Sequence, residues 1–302
     1  MMGFVCGVFL LLTLPALART EVVNDFKVCK DFFLESKAPT VQLDQNRYKR
    51  ICQKYKNKYE FATLYDTTNR IPVYSAYTYS DCDEGERKKR NWAIEPQLDL
   101  GSGSGEMALE NTVKGAGGKQ ALDKDYKTIE DSNTPDGYNR GHLFPVCHAE
   151  SQSAKDATFT LTNIVPQNVE FNGGAWASTE RFVRDNIKEK CTPDNNNKAY
   201  IVTGAVPSKN SKVNNRVNIP EYMWTAFCCK KDNRWVSMAH YGRNAKGEVT
   251  VPVSLEKLEE QLKTDYDVKS FLVFGGNCYE VKATYFDYAM RFFRYLNSII
   301  RG

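Results

Sequence analysis

The sequence predicts a single α+β domain with a central, mostly antiparallel sheet. Aromatic residues, which favour strands, are plentiful, with 17 Tyr and 16 Phe in 302 residues. Two aromatic and β-branched runs, at 59–65 and 71–79, are separated by the turn residues 66–69, which is typical of a β-hairpin. A helical pattern follows later in the chain and no internal repeat is visible, so strands and helices should share one core.

The other segments can be taken in chain order. The polar segment 19–58 is rich in Lys and Tyr and contains two cysteines, which predicts a short helix in a tethered N-terminal segment. Residues 101–135 hold two glycine clusters and few apolar side chains, so we expect a long surface loop or a poorly ordered insertion. The run 159–165 is predicted to form a strand that ends at Pro166.

The second half of the chain alternates between strand and helix patterns. From 173 to about 190, apolar and polar positions recur at three- and four-residue steps, which predicts a helix. Strands are expected at 199–203, 222–229, 234–241 and 271–274, and a short helix is expected from its cap Ser254 to Leu262. The run 285–300 predicts an amphipathic helix, and packing on the domain is favoured over membrane contact because its polar face is not strongly basic.

The composition is that of a globular protein with ample core, since 41% of the residues are hydrophobic and 26% are charged. The net charge of +4 is only mildly basic and does not by itself identify a polyanionic partner. If nucleic acid binds, the positive charge must be concentrated locally.

The N-terminus is typical of a signal peptide. An apolar run covers 8–12, and Ala16 and Ala18 form a small-x-small cleavage site that leaves Arg19 as the first mature residue. The n-region lacks a positive charge, so a signal anchor is the competing interpretation, but the run is short for the roughly 20 residues that span a bilayer. We therefore expect a secreted, extracellular protein without a membrane span. The chain then divides into a signal peptide (1–18), an N-terminal segment (19–58) and one large domain (59–302).

Cysteine usage agrees with export. Nine cysteines are present and Cys6 leaves with the signal peptide, so an even set of eight remains. An even number in a secreted chain predicts disulfides, although the sequence does not choose among their pairings. Cys228 and Cys229 are adjacent and would point to opposite faces of a strand, so they should bond to different partners. No CxxC pair occurs, which argues against a structural zinc site.

One stretch carries the residues that phosphodiester hydrolysis requires. The run Asn139-Arg140-Gly141-His142 is followed by Asn172 and then by Glu180. His142 is the candidate general base, and the amide oxygen of Asn172 suits a hard cation that keeps most of its waters. His148 and His240 sit in no such motif and are expected to be structural or simply exposed.

This series of residues, at matching spacings over roughly residues 59–280, resembles the DNA/RNA non-specific endonucleases, the family with a ββα-metal site. The segments that carry the resemblance are 89–92, 139–142, 159–167, 172–176 and 180–184. Within that family the secretory features and the Phe274-Gly-Gly-Asn-Cys278 ending look most like the secreted endonuclease-domain-containing 1 group. The resemblance implies a Mg²⁺- or Mn²⁺-dependent hydrolase that cleaves DNA and RNA and contacts their phosphate backbone.

The resemblance also implies roles for individual residues. His142 would activate water and Asn172 would hold the ion. Glu180 would accept hydrogen bonds from metal-bound waters, since a regular helix places it about 80° from Asn172. The arginines that would balance charge on the phosphate are Arg90, Arg140 and Arg184, and the supporting amides are Asn139, Asn163 and Gln167. Without the resemblance, the basic run 87–90 would be an ordinary surface patch, and Trp176 is more typical of a core than of a site.

One position departs from the family pattern. The motif usually begins with Asp, and here Asn139 replaces it, which removes a negative charge near the expected metal shell. Two rival hypotheses follow. The chain could be a catalytically silent nucleic-acid-binding protein that keeps the groove, or an interaction protein that uses the fold only as a scaffold.

Overall fold

The computed structural model describes residues 21–79, 91–130, 137–191, 198–232 and 234–279. The expected signal sequence, Cys82, Arg90 and the expected helix at 285–300 lie outside the described residues. Within those ranges, no helix combines the length and the apolar character that crossing a membrane requires.

The molecule is an α+β domain with a large antiparallel sheet at its centre, as the sequence predicts. The strands are β1 Val22–Val23, β2 Thr40–Val41, β3 Tyr48–Tyr55, β4 Lys58–Asp66, β5 Ile71–Tyr79, β6 Ala93–Ile94, β7 Ala108–Leu109, β8 Tyr138–His142, β9 Ile164–Asn168, β10 Ala199–Val213, β11 Val217–Lys231, β12 Arg234–Arg243, β13 Thr250–Val253 and β14 Phe271–Leu272. The helices are α1 Pro96–Leu100, α2 Asp123–Glu130, α3 Gln152–Ala157, α4 Val169–Phe171, α5 Ala177–Lys190 and α6 Leu255–Asp265. Short 3₁₀ turns cover Phe26–Phe32, Leu34–Ser36, Glu110–Thr112, Val146–His148 and Leu161–Asn163, and a π turn covers Asn172–Trp176.

Eight strands form the central sheet in the order β1-β3-β4-β5-β10-β11-β12-β13. The expected hairpin is present as β4 and β5, and the pair around residue 232 is present as β11 and β12. Strands β5 and β10 are neighbours in the sheet although about 120 residues separate them in the chain. That long connection contains the separate two-stranded ribbon of β8 and β9, followed by α4 and α5. The ribbon and its helix form a ββα unit.

Each face of the sheet is covered by its own apolar layer. On one face the N-terminal 3₁₀ turn and α6 pack over Trp224 and Ala226 of β11. On the other face α5 and the β8–β9 ribbon pack over Ile201, Ala205 and Phe227. Side chains alternate between faces along each strand, so the long central strands serve both layers.

Three expectations about local structure were wrong. The glycine-rich segment 101–135 is not only loop, because it includes α2, whose Tyr126 is fully buried. The strand expected at 159–165 is instead a 3₁₀ turn followed by β9, and Pro166 lies inside that strand. Pro166 is tolerated because β9 belongs to a two-stranded ribbon, in which one side of each strand needs no ladder hydrogen bond.

The N-terminal segment is joined to the sheet more closely than its polar composition suggests. It includes the eight-residue strand β3, which pairs with β4 along its whole length. Cys29 of the N-terminal turn forms a disulfide with Cys52 of β3. We expected a helix here but no strand, because basic and polar residues dominate the sequence 48–55 and only a few apolar positions indicate a strand. Two of these positions, Ile51 and Cys52, are fully buried.

Adjacent Cys228 and Cys229 bond to different partners, as predicted. Cys228 faces the α6 layer and bonds to Cys278, whereas Cys229 faces the α5 layer and bonds to Cys191. Each bridge therefore attaches the end of a peripheral segment to β11.

We expect all eight cysteines of the mature chain to be oxidised. Alkylation without reduction should leave the intact mass unchanged, and peptide mapping should recover the pairs Cys29–Cys52, Cys191–Cys229 and Cys228–Cys278. Removing a native bridge typically costs about 2–5 kcal/mol, so reduction should lower the melting temperature. Alkylated cysteines in protein recovered from culture medium would contradict this expectation.

Candidate active site

His142 is the last residue of β8, and its ring is held by two aromatic side chains. The His142 ring lies 5.7 Å from the Trp92 ring and 5.4 Å, edge to face, from the Phe159 ring. His142 is 9% exposed. Trp92 and Phe159 thus orient an imidazole that is largely buried, with its Nε2 atom enclosed by the surrounding protein.

Arg140 lies two residues earlier on β8 and therefore shares a face with His142. Its guanidinium stacks over the Trp92 ring at 5.0 Å and the Tyr126 ring at 5.4 Å. Its Nη2 forms an ion pair with Asp123 Oδ1 at 2.7 Å, and the side chain is 10% exposed. Arg140 is engaged within the protein and packs against the same indole that orients His142.

Asn139 points to the other face of the ribbon and meets Asn172. The Asn172 Nδ2 donates a hydrogen bond of 2.6 Å to Asn139 Oδ1. Since that amide nitrogen is used, Asn172 Oδ1 is directed away from Asn139, and it accepts no hydrogen bond from the residues that the structure describes. A half-buried amide oxygen of this kind fits a hard divalent cation that retains most of its waters.

Asn172 sits where the helix of the ββα unit changes pitch. Asn168 caps α4 by accepting from the Phe171 amide at 3.1 Å, and the backbone then widens into the π turn before α5. A π turn has more residues per turn than an α-helix, so Glu180 is rotated from Asn172 by less than the 80° of a regular helix. Gly173 and Gly174 within this turn are exposed and face open space. The turn leaves room beside Asn172.

His148 is structural, as expected from the sequence. Its Nε2 lies 2.9 Å from the Glu180 carbonyl oxygen, which can only accept, so Nε2 carries the hydrogen. Its Nδ1 then accepts from the Tyr77 hydroxyl at 3.1 Å. Burial lowers the pKa of His148 to about 4 and that of His240 to about 3. Both stay neutral near pH 7, and His148 fixes the backbone of Glu180 on α5.

Asn163 is fully buried and clamps the chain that follows His142. Its Nδ2 donates to the carbonyl oxygens of Phe144 and Thr158, both at 3.1 Å. Its Oδ1 accepts from the Phe144 amide at 3.0 Å and from the Ser75 hydroxyl at 2.9 Å. Its own carbonyl accepts from the Leu143 amide at 3.0 Å. All the polar groups of this side chain serve structure, so it supports the site from behind.

Gln167 is also fully buried, directly across the ribbon from Asn139. Its side chain covers Gly141, where any Cβ would collide with it. Within the described ranges its amide makes no hydrogen bond. Glycine at position 141 is therefore a packing requirement of the motif.

The two remaining arginines differ in what the structure shows. Arg184 lies on α5, where its Nε donates to Asp185 Oδ1 at 2.9 Å and its side chain is 29% exposed. Arg90 lies outside the described residues.

Sequence reasoning missed several residues that build the site. Trp92, Tyr126 and Phe159 form the aromatic wall, and Asp123 holds Arg140. Asn244 is a further case, because its side chain donates to the Pro166 carbonyl at 3.1 Å and accepts from the Asn168 amide at 2.8 Å. It thereby attaches β9 to the end of β12. The sequence offers only one signal for these, the Trp92 that adjoins the basic run.

Comparison with known proteins identifies the same family as the sequence motifs. A family model described as DNA/RNA non-specific endonuclease matches residues 42–272. The Endonuclease domain-containing 1 protein of Homo sapiens is 30% identical over 262 residues, covering 85% of this chain and 49% of that protein. The protein of the same name from Mus musculus is 31% identical over 242 residues, covering 78% and 46%. The chain thus spans about half the length of these curated relatives. A solved structure of the EndoG/EndoGI complex contains a chain of similar fold, with a TM-score of 0.51 and 18% identity over 79% of this chain and 89% of that one.

The lowered pKa values lead to a test of which histidine can serve as a base. The chain has three histidines, and two of them should stay neutral from pH 8 to pH 5 because burial disfavours their charged form. In proton NMR, the ring signals of His148 and His240 should not move over this range. Any histidine signal that does titrate there should disappear in His142→Ala. A titrating signal that persists in that variant would contradict the assignment.

Proposed function

We propose that this chain, which belongs to the DNA/RNA non-specific endonuclease family, is a secreted endonuclease that hydrolyses phosphodiester bonds of DNA and RNA with the help of Mg²⁺ or Mn²⁺. The observation that carries the proposal is the hydrogen bond between Asn172 Nδ2 and Asn139 Oδ1, which presents the other amide atom as a metal ligand. Secretion is supported by the three disulfides.

His142 acts as general base in this mechanism. Its ring is held by Trp92 and Phe159 so that one nitrogen can take a proton from the attacking water. Along an extended strand, Asn139 and His142 are about 10 Å apart between their Cα atoms, at roughly 3.3 Å per residue. This is the spacing, along β8, between the proposed base and the residue that contacts Asn172.

Asn172 would hold the divalent ion through Oδ1, and Glu180 would accept hydrogen bonds from water molecules bound to that ion. When bound, the ion supplies positive charge that stabilises the departing 3′ oxygen. Arg184, together with Arg90, adds charge that favours the pentavalent phosphorus, whereas Arg140 mainly keeps Trp92 against His142.

Substrate contacts in this arrangement are directed at phosphate groups. The described site offers a base, an amide and charged side chains, so discrimination between bases or between ribose and deoxyribose should be weak. The products would carry 5′-phosphates, as the family resemblance implies.

His142→Ala should abolish cleavage of supercoiled plasmid while the protein stays folded. Loss of a general base typically lowers the rate by about 10²–10⁴-fold. The assay is nicking of plasmid DNA and cleavage of a structured RNA, each with Mg²⁺ and with EDTA. His240→Gln is the matched control, because it alters a buried histidine of the central sheet that stays neutral.

The outcomes separate the proposal from its rivals. Near-normal cleavage by folded His142→Ala would refute the role of His142. A wild-type protein that binds DNA in a salt-dependent manner without cleaving it would be a silent binding protein. A protein that neither binds nor cleaves would be a scaffold for other interactions.

Asn139→Asp should strengthen metal binding. An amide at position 139 can either accept from Asn172 or donate to it, whereas a carboxylate can only accept. Aspartate would therefore force Asn172 to offer its nitrogen to residue 139 and its oxygen to the ion, and it would add negative charge nearby. The Mg²⁺ concentration for half-maximal rate should fall by roughly tenfold.

Mn²⁺ binding, measured by isothermal titration at one ionic strength, gives a readout that does not depend on activity. Asn139→Leu is the matched control of similar size and should weaken binding, because it removes the acceptor. A folded Asn139→Asp variant with much weaker metal binding would mean that the asparagine has a separate function.

A further inference from the structure

A chain of buried hydrogen bonds begins at Glu95, a carboxyl group that the proposed mechanism does not use. Glu95 is fully buried between β6 and α1. Its Oε1 accepts from the Thr160 hydroxyl at 2.7 Å and from the Thr162 hydroxyl at 2.9 Å. Its other oxygen makes no hydrogen bond to the residues that the structure describes. Burying a carboxyl group costs free energy unless its oxygens are hydrogen-bonded, so a fully buried Glu95 indicates a specific structural role.

The chain of hydrogen bonds continues across strands β3, β4 and β5 of the central sheet to Asn163. The side-chain nitrogen of Gln53 on β3 donates to the Thr162 hydroxyl at 2.8 Å and to the Thr63 hydroxyl at 3.2 Å. Thr63 on β4 is 3.1 Å from the Ser75 hydroxyl on β5, and Ser75 is 2.9 Å from Asn163 Oδ1. Every one of these residues is buried, with an exposed fraction of 0%.

The groups at the two ends of this series, Asn163 and Glu95, determine which hydroxyl donates and which accepts in each hydrogen bond. The Asn163 amide nitrogen donates to two carbonyls, so its Oδ1 must accept and Ser75 must donate to it. Each hydroxyl has a single hydrogen, so Thr63 in turn donates to Ser75. Gln53 supplies one hydrogen in each direction. At the far end Thr162 accepts from Gln53 and donates to Glu95 Oε1, which is closer to it than the Thr160 hydroxyl at 3.3 Å.

We propose that Glu95 is a positioning residue for His142, acting through Thr162, Gln53 and Asn163. The effect reaches the base because Asn163 binds both polar backbone groups of Phe144 and the Leu143 amide, the two residues that follow His142. If the acceptor at Glu95 is lost, the Thr162 hydroxyl must turn to another partner, and the Gln53 amide that donates to it shifts. The shift passes through Thr63 and Ser75 to Asn163 as a displacement, while the direction of those hydrogen bonds is unchanged.

The same geometry identifies the conservative replacement. Burial raises the pKa of Glu95 to about 7, so the carboxyl carries a proton at lower pH and accepts through its carbonyl oxygen. Glutamine offers an equivalent carbonyl oxygen in nearly the same shape. Leucine fills the space without an acceptor.

The experiment compares Glu95→Gln with Glu95→Leu in the full mature chain. The rate effect rests on the proposed nuclease function. A small displacement of a reacting group can lower a rate by up to about 10²-fold, so Glu95→Leu should reduce kcat for plasmid cleavage by about 10- to 100-fold with KM nearly unchanged. Glu95→Gln should retain kcat to within about threefold of wild type.

Two further variants separate positioning from general loss of stability. Thr162→Val removes one hydroxyl from the middle of the chain at nearly constant volume, and it should lower kcat in the same way even if Glu95→Leu does not fold. Leu262→Ala removes core volume from α6 on the opposite face of the sheet, so it should lower the melting temperature while kcat stays at the wild-type value. The Glu95→Leu/Thr162→Val double variant should be no slower than the slower single variant, because both changes break one chain.

NMR of the His142 ring keeps the test independent of activity. If wild type proves inert, the nuclease proposal fails, yet the His142 ring signals should still shift in Glu95→Leu and Thr162→Val and stay in place in Glu95→Gln and Leu262→Ala. Wild-type kcat and unshifted His142 signals in folded Thr162→Val would overturn the positioning role. A loss in Leu262→Ala equal to that in Glu95→Leu at the same melting temperature would overturn it as well.

Discussion

The site depends on the antiparallel pairing of β8 with β9. Its register sets Asn139 opposite Gln167 and His142 opposite Ile164. Because side chains alternate along a strand, this register sends Arg140 and His142 to one face and Asn139 and Gly141 to the other. A slip by one residue would exchange the two sets. The aromatic wall around His142 and the hydrogen bond to Asn172 would then be lost together.

The register is itself fixed by neighbours that lie far away in the sequence. The Gln167 side chain fits only over a glycine, which excludes other pairings at position 141. Asn244 holds the second half of the β9 backbone to the central sheet, through the Pro166 carbonyl and the Asn168 amide. The small ribbon would be marginal alone, since isolated two-stranded hairpins are barely stable in water. Its stability comes from the sheet, from α4 and from the π turn, with which it shares a cluster of buried apolar residues.

The sequence predicted the elements whose signals are local. The hairpin of β4 and β5, the pair β11 and β12, and the Ser254 cap are all encoded in neighbouring residues, and each is confirmed. The order of the central sheet was not predictable in this way, because β5 and β10 are paired although about 120 residues separate them in the chain. Helix α2 was missed because glycines surround it, although Tyr126 and Asp123 give it two tertiary contacts with Arg140.

The candidate site shows the same division. The residues 139–142, Asn172 and Glu180 could be chosen from their spacing and from the family resemblance, because the ββα unit is nearly continuous in the chain. Asn244 and Glu95 could not be chosen, because their importance arises from packing across the sheet. In a sequence, a single Glu is indistinguishable from a surface residue. Only the structure shows that Glu95 is buried and that its Oε1 accepts hydrogen bonds from two threonine hydroxyls.

The proposed base and the proposed metal ligand are held by different parts of the fold. The position of His142 is set by β8 and by Asn163. Buried side-chain hydrogen bonds connect Asn163 to β3, β4 and β5. Asn172 depends on the π turn, whose helix is attached to the sheet through His148 and through the Cys191–Cys229 bridge. Among the described side chains, Asn139 joins the two directly, through one hydrogen bond to Asn172. We therefore expect the first residue of the motif to influence the relative position of the proposed base and the proposed ligand, so that an exchange of aspartate for asparagine there would affect a hydrogen bond as well as a charge.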